Sequence, residues 1–354
     1  MNAMISNSEV VTPRLAGRSK FHEFGVLLKR ELWEHKGGIL WTPLILAGLQ
    51  VIVTAIALIA GWYRMSTQGF GRVVLNGGTE ISINGNNLQQ FLAELKPSDL
   101  TAGGNAIDMF YYASSTWPLI VAGFVTFFYC LGTLYDERKD RSILFWKSMP
   151  VSDLQTVLSK AVTALVVIPL VAMLVSAGLV LLYAFVGWAF LSFQGGATGA
   201  AIFANSNPLK VIGSLLSALP IHVVWALPAV GWLMLCSAFV KRVPFLWALG
   251  VPLVAGIMLL WFEAGMSWGQ ATSLSEAYYQ HVVYRILPSV MPGSFVTQLP
   301  NIDIDFERNL MPYSGAVIQA IYSVLLRAET WIGAVAGAVM LWGAAQIRRR
   351  NGAI

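Results

Sequence analysis

The sequence predicts an all-α integral membrane protein that crosses the bilayer six times. Of the 354 residues, 56% are hydrophobic and 12% are charged, and the charged share is about half that of a typical soluble domain. Six apolar runs are each long enough to cross a bilayer as a helix. Lysine and arginine are concentrated on alternate flanks of these runs, as the positive-inside rule requires. Together, these observations predict both the fold class and the topology.

The predicted spans leave polar segments at both ends of the chain and two larger ones between spans. Residues 1–38 form the N-terminal segment, residues 39–347 the transmembrane domain, and residues 348–354 a basic tail. The two larger segments are expected at 63–112 and 262–328. The spans themselves are predicted at about 39–62, 113–134, 153–190, 214–240, 244–261 and 331–347.

An amphipathic helix is predicted directly before the first span. Apolar residues recur there at spacings of three and four, and polar residues occupy the opposite arc. Its position favours a helix that lies in the membrane interface, although the polar start of the first span would give the same pattern. The apolar face consists of Phe21, Phe24, Leu28 and Leu32.

Local patterns refine the segments between the spans. Within the polar loop 63–112, two short apolar runs around Asn76-Gly77-Gly78 predict a small β-hairpin. Residues 191–213 are rich in Gly, Ala and Asn and are expected to form a connection, whereas residues 275–287 have the pattern of an amphipathic helix. The last span carries a small-residue stripe that permits close contact with another helix, namely Gly333, Ala334, Gly337 and Ala338.

The distribution of basic residues predicts the orientation of the chain. Basic residues precede the first span, fill the segment between the second and third spans, and end the chain as Arg348-Arg349-Arg350. The segments at 63–112 and 262–328 carry few basic residues, which acids outnumber. The positive-inside rule therefore predicts cytoplasmic termini, extracytoplasmic segments at 63–112 and 262–328, and a cytoplasmic segment at residues 136–153, the central loop.

The sequence carries no pattern typical of an enzyme or a metal site. The phosphate-cradling G-x-x-x-x-G-K-[ST] motif and the H-E-x-x-H motif are absent, and the four histidines are scattered. Cys130 and Cys236 lie inside apolar runs and are expected to be small buried residues. His222, in the fourth span, is expected either to be hydrogen-bonded or interface-facing, or to contact cargo. The chain is therefore predicted to be non-catalytic, with neither metal ligands nor a cofactor of its own.

The interiors of the predicted spans contain almost no Asp, Glu, Lys or Arg. Ion-coupled transporters usually place ionisable groups near mid-membrane, where the coupling ion binds. A transporter without such groups needs another energy source, and a separate ATPase docked on the cytoplasmic side would supply it. The central loop is the candidate docking surface, because it interleaves acids and bases ahead of the bulky apolar run 143–146. Ser152 and Gln155 fit a capping box that starts the third span.

Residues 134–152 resemble the first cytoplasmic loop of ABC-2 type permeases, the membrane subunits of ATP-binding-cassette exporters. In that family an E-R stretch, an apolar segment and a P-[VIL]-S turn form a coupling helix ahead of the third span. Glu137-Arg138 and Pro150-Val151-Ser152 match these positions. The amphipathic helix before the first span resembles the family's connecting helix, although the extracytoplasmic segments are larger than in the smallest members.

The resemblance implies a permease subunit that works with a second permease copy, as a homo- or heterodimer, and with two ATP-binding-cassette ATPase subunits. ATP and Mg²⁺ would be bound by the partner ATPase and not by this chain. The implied location is the bacterial cytoplasmic (inner) membrane, where the chain contacts lipid and no nucleic acid. The docking residues implied for the coupling helix are Glu137, Arg138, Asp140, Arg141, Ile143, Leu144, Phe145, Trp146, Pro150 and Ser152.

The cargo and two alternative functions stay open at the level of the sequence. The aromatic content and the apolar spans fit an amphipathic or hydrophobic cargo, such as a peptide, a lipid-like or a drug-like molecule. A non-transport membrane sensor or assembly scaffold would have a similar composition. An ion-coupled secondary transporter would also fit if backbone carbonyls bound its ion.

Overall fold

The computed structural model describes residues 20–68, 72–75, 79–82, 96–148, 151–266, 274–286, 288–298, 319 and 321–350. Within these residues the chain is predominantly helical, and six helical segments are long and apolar enough to cross a membrane. The predicted six apolar helices are therefore confirmed. The segments are Gly37–Arg64, Leu100–Lys139, Asp153–Phe190, Ile202–Phe239, Pro244–Gly265 and Ala328–Arg350.

The N-terminal helix leads directly into the first span through a π-helical turn. Helix α1, Lys20–Glu34, is followed by the turn Gly37–Trp41, which continues into α2, Thr42–Gln68. The predicted hairpin comes next, because β1, Arg72–Leu75, pairs antiparallel with β2, Thr79–Ser82. This two-stranded pairing is the only sheet within the described part of the chain.

The second span begins earlier than the sequence pattern predicts. Helix α3 covers Pro97–Thr133, whereas the pattern predicts a loop up to residue 112. Proline is well tolerated in the first turn of a helix, so Pro97 starts the helix inside the polar segment. Two short helices follow in and next to the central loop, α4 at Tyr135–Lys139 and α5 at Ser142–Lys147. Arg141 lies between them in the left-handed conformation, with φ of 58°.

The helix of the third span continues beyond Phe190, where the membrane-spanning segment ends as predicted. Helix α6, Asp153–Val162, passes through the π-helical turn Thr163–Val167 into α7, Ile168–Ala204. Most residues of the predicted connection at 191–213 are therefore helical. Helix α7 ends only where Asn205-Ser206-Asn207 precede a proline, and that proline starts α8, Pro208–Ser217.

Two further spans, an irregular segment and the last span complete the chain. Helix α9 covers Leu219–Phe239 and α10 covers Pro244–Met266. A run of helical turns then confirms the helix predicted at 275–287. The remaining elements are α11, Leu274–Tyr278, a π-helical turn, Tyr279–Val283, α12, Tyr284–Ile286, the 3₁₀ turns Pro288–Val290, Ser294–Gln298 and Val324–Leu326, and α13, Ala328–Arg350.

Helix α9 is the centre of the bundle and packs most closely against α13. A Cβ atom on Gly231 would lie 2.6 Å from the carbonyl oxygen of Gly337, so the two backbones touch at these glycines. The small-residue stripe predicted in the last span therefore does permit close contact, and its partner is the fourth span. In contrast, α2 and α10 expose long apolar faces, as expected of peripheral helices that border lipid.

Candidate functional site

A buried cluster of charged residues lies where α1, α4, α6 and the end of α13 meet. The Lys160 ammonium group, on α6, is 2.9 Å from Glu31 Oε1 on α1 and 3.1 Å from Glu137 Oε1 on α4. Lys160 and Glu31 are each only 1% exposed. One lysine therefore neutralises two carboxylates that come from separate helices.

Arg348 extends the ion-pair cluster to the last span. Its guanidinium group forms an ion pair with Glu137, and its Nε donates a hydrogen bond to Asp153 Oδ1 over 3.0 Å. We call the five residues Glu31, Glu137, Asp153, Lys160 and Arg348 the buried charge cluster. Because these residues belong to four helices, the cluster connects the central loop with the N-terminal helix, the third span and the last span.

The sequence places the members of this cluster on apolar helix faces. Glu31 follows Leu27 and Leu28 at helical spacing, and Lys160 lies on the same face of α6 as Val157 and Ala164. Tyr129 adds a hydrogen bond of 2.8 Å from its hydroxyl to Glu31 Oε2. A buried charge without a partner is very costly, so these residues stabilise the fold only as a paired set.

Arg138 attaches the start of the central loop to the end of α9. Its Nη2 donates hydrogen bonds to the carbonyl oxygens of Ser237, over 2.6 Å, and Val240, over 2.8 Å. These carbonyls lie in the last turn of α9, where they lack partners within the helix. The Ser237 hydroxyl in turn accepts hydrogen bonds from the backbone N–H groups of Leu134 and Tyr135. The fourth span and the central loop are therefore held together by polar contacts.

The structure separates the residues of the predicted docking surface into buried and exposed ones. Glu137, Arg138 and Ile143 are buried against the chain itself, so their side chains are not accessible to a partner in this structure. The two charged residues form ion pairs or hydrogen bonds with groups of the bundle, and Ile143 is the fully buried residue of α5. Two of the apolar residues, Leu144 and Phe145, are 57% and 58% exposed.

Four exposed residues of the central loop make up the candidate surface for a partner, which we call the docking patch. It combines two apolar side chains with two charged residues, and it consists of Asp140, Arg141, Leu144 and Phe145. Trp146 lies beside this patch and is half-buried, because the Arg30 guanidinium group stacks on its ring at 3.3 Å from the centroid. Trp146 therefore connects α5 with α1 instead of projecting outward.

The remaining predicted residues occupy the positions that their patterns indicate, as far as the structure describes them. Ser152 caps α6, since its hydroxyl accepts a 3.2 Å hydrogen bond from Gln155 N, and the Gln155 side chain accepts one from Ser152 N. The predicted capping box is therefore confirmed. On α1, Phe24, Leu28 and Leu32 are half-buried. Pro150 and the side chain of Phe21 lie outside the described residues.

A second group of buried polar residues lies near the opposite end of α9. His222 is buried, and its Nδ1 has no hydrogen-bond partner within the described residues. The guanidinium group of Arg285 packs over the Trp225 ring, 4.4 Å from the centroid, and donates a hydrogen bond to the carbonyl oxygen of Glu329. The pKa of Arg285 lies below its usual value, because the effect of burial is larger than the opposing effect of the nearby Glu329 carboxylate. His222 is thus a buried residue of the bundle in this structure.

Two apolar cavities lie along α2, one near each end of the bundle. The first, the inner cavity, has a volume of about 730 Å³ and lies between the π-helical turn, α2 and α3. The second, of about 660 Å³, lies between α2, α3 and α7 and is lined by aromatic and small or aliphatic residues. Between the two, Gln50 Nε2 donates a 3.0 Å hydrogen bond to the Ser114 carbonyl oxygen and attaches α2 to the bundle.

No family model, curated protein or solved structure matches this chain. Its function must therefore be inferred from its own residues and their geometry.

Proposed function

We propose that the chain is the permease subunit of an ATP-binding-cassette exporter, energised by a separate ATPase that docks on the central loop. The observation that supports this proposal best is the combination of the docking patch with the buried charge cluster. The patch offers an exposed surface, and the cluster connects that surface with three other parts of the bundle.

The docking patch has the composition that a protein partner requires. Leu144 and Phe145 supply apolar area that a groove in the ATPase would cover, and Asp140 and Arg141 supply charges of both signs that would set the register. Phe145 packs edge-on against Trp146, at 5.1 Å between ring centroids, yet more than half of its surface stays exposed, as does that of Leu144. A partner would explain this exposure.

The buried charge cluster supplies the route by which a partner's motion would reach the spans. A displacement of α4 moves Glu137, and Glu137 is paired with both Lys160 and Arg348. Breaking these pairs inside the protein is expensive, so the connected helix ends move together. Arg138 adds a direct connection to α9. A mechanical push on the loop would thus reorient the third, fourth and last spans relative to the peripheral helices.

Other parts of the proposal come from the charge pattern and the resemblance. Both termini and the central loop are cytoplasmic, and the chain resides in the bacterial inner membrane. Two ATPase subunits bind ATP and Mg²⁺, and a second permease copy completes the transporter. The cargo is an amphipathic or hydrophobic molecule.

The test is purification of the tagged chain from its native membranes in mild detergent. We expect an ATPase subunit with a G-x-x-x-x-G-K-[ST] motif to co-purify, identified by mass spectrometry, and the complex to hydrolyse ATP. With the double variant Leu144→Asp/Phe145→Asp, the amount of co-purified ATPase is expected to fall at least about tenfold, because docking would bury two new carboxylates that have no partners.

Leu274→Asp is the matched control. Leu274 is similarly exposed, at 62%, but it lies in the segment 262–328 and not in the central loop. This variant is expected to retain the ATPase. If the double variant retained it as well, the docking patch would be assigned wrongly. If no ATPase co-purified with the unaltered chain, the proposed function itself would be contradicted.

A further inference from the structure

The inner cavity has walls that suit an acyl or alkyl chain. Phe124, Val125 and Phe128 line it from α3, and Leu46 lines it from α2. Phe124 and Phe128 are each more than half exposed, so the cavity is open toward the region that lipid would occupy. Its volume lies within the range of roughly 300–1,000 Å³ typical of small-molecule sites.

The π-helical turn leaves this cavity open at its base. A Cβ atom on Gly37 would meet nothing within 4 Å, and a Cβ atom on Gly38 would meet only the side chain of Val125, at 3.7 Å. The turn is held in shape by a hydrogen bond of 3.1 Å from the Thr42 hydroxyl to the Gly37 carbonyl oxygen. π-helical turns are often found at functional sites. Here, the two glycines allow a ligand to reach the backbone.

The mouth of the cavity carries negative charge. Asp136 lines the cavity and is an exposed residue whose carboxylate forms no ion pair within the described part of the chain, and Glu34 also lines the cavity. Three basic side chains act electrostatically on Asp136: Lys160, which pairs with Glu31 and Glu137, His35, which packs against Tyr129, and the exposed Lys139 on the same helix. Arg30 pairs with Glu34 and stacks on Trp146, and Lys36 lies over the Trp33 ring. An apolar chamber with an acidic entrance is complementary to a molecule with an apolar tail and a cationic head.

The back wall of the cavity touches the buried charge cluster. Tyr129 lines the cavity and donates a hydrogen bond to Glu31. His35 also lines it, packs edge-on against Tyr129 at 4.9 Å between ring centroids, and has Nδ1 3.3 Å from the Glu31 carbonyl oxygen. A molecule in the cavity would therefore contact two residues that hold Glu31 in place.

We infer that the inner cavity binds an amphipathic amine, with its alkyl tail between Phe124 and Phe128 and its cationic head at Asp136. The ligand enters from the membrane leaflet adjacent to the central loop. The inference that the amine binds depends only on the geometry of the cavity. The further inference that the amine is exported rests on the proposed function.

The experiment uses the full chain in nanodiscs and a long-chain alkylammonium probe that carries a photoreactive diazirine on its tail. Crosslinked peptides are identified by mass spectrometry, and a probe with the same tail and an uncharged hydroxyl head is the chemical control. We expect saturable labelling of the peptides that contain residues 37–46 and 121–129, and at least about tenfold weaker labelling by the uncharged probe.

Two variants test the two parts of the site separately, the open apolar base at Gly37 and the acidic entrance at Asp136. Gly37→Leu places a side chain at the open base of the cavity, where its Cβ atom meets no neighbour within 4 Å, and is expected to reduce labelling at least about tenfold. Its matched control is Gly48→Leu on α2, which also meets no neighbouring atom and does not line the cavity. Asp136→Asn removes only charge and is expected to raise the half-saturating concentration of the alkylammonium probe about tenfold.

Equal labelling by the uncharged probe would overturn the inference and identify a groove for lipid chains. Unchanged labelling in Gly37→Leu would also overturn it, because the probe would then occupy another surface. Neither result depends on an ATPase, so failure of the binding inference and failure of the proposed exporter function are distinguishable.

Discussion

The ammonium group of Lys160 and the carboxylate of Glu31, 129 residues apart in the chain, form a buried ion pair with an N–O distance of 2.9 Å. This pair joins the start of the third span to the helix that precedes the first span. Glu137 completes the arrangement from the central loop. Of the six buried Glu, Lys and Arg side chains in the described part of the chain, five therefore lie at this end of the bundle, close in the sequence or in space to the exposed Leu144 and Phe145.

The ion pair predicts a large loss of stability when Lys160 alone is replaced. Lys160→Met leaves Glu31 and Glu137 without their shared cation, and we expect it to lower the free energy of unfolding by about 3–5 kcal/mol. The double variant Glu31→Leu/Lys160→Met is expected to lose less than the two single variants together, because it removes one of the unpaired charges. Denaturation in mixed detergent micelles, followed by circular dichroism, measures both.

Lys29→Met is the control for this prediction, since Lys29 is an exposed lysine on α1. It is expected to change the free energy of unfolding by less than about 0.5 kcal/mol. Additive effects of Glu31→Leu and Lys160→Met would contradict the pairing of these two residues.

Replacing Arg138 and replacing Arg141 are expected to change the free energy of unfolding by different amounts, although the two residues are only three positions apart. Arg138→Met removes the donor of two hydrogen bonds to the last carbonyl groups of α9. Because each hydrogen bond from a charged group contributes about 1.5–3 kcal/mol, we expect it to cost about 3–6 kcal/mol. Arg141→Met affects an exposed residue and is expected to leave unfolding unchanged while weakening ATPase binding. Equal destabilisation by both variants would contradict the contrast between a structural and a surface arginine.

The glycine contact between α9 and α13 predicts strong sensitivity to one added methyl group. A Cβ atom on Gly337 would lie 2.5 Å from the backbone carbonyl of Leu227, so Gly337→Ala must separate the two helices. We expect a loss of about 1–3 kcal/mol, typical of overpacking. Gly178→Ala on α7, where the added carbon meets nothing within 4 Å, is expected to be neutral or stabilising. A similar response of both variants in thermal unfolding would exclude the close contact.

Structural features that depend on a local pattern of residues could be predicted from the sequence. Hydropathy identified all six apolar helices, because each is long and nearly free of charge. The capping box at Ser152 and the hairpin at 72–82 were readable from adjacent residues. The ends of the helices were less predictable, since Gly and Ala residues at 191–204 continue as helix without apolar periodicity to indicate it.

The function of the charged residues in the central loop required the three-dimensional structure. A run of mixed charges between two spans looks solvated, and nothing in residues 136–141 indicates that Glu137 and Arg138 are buried while Asp140 and Arg141 are exposed. Their partners, Lys160 and Arg348, are distant in the sequence. One signal was available, because Glu31 and Lys160 both interrupt apolar helix faces, and opposite charges in such positions favour a pair.

The central claim is that the buried charge cluster makes the central loop and α1 move as one unit. Spin labels at Lys29→Cys and Lys139→Cys report the distance between α1 and α4, and labels at Lys139→Cys and Leu274→Cys report the distance to the other extramembrane segment. Cys130 and Cys236 are buried, which shields them from labelling. Double electron–electron resonance on the complex with its ATPase, with and without a trapped ATP analogue, is predicted to show a constant first distance and a changed second one. A change in the first distance as large as that in the second would contradict the claim.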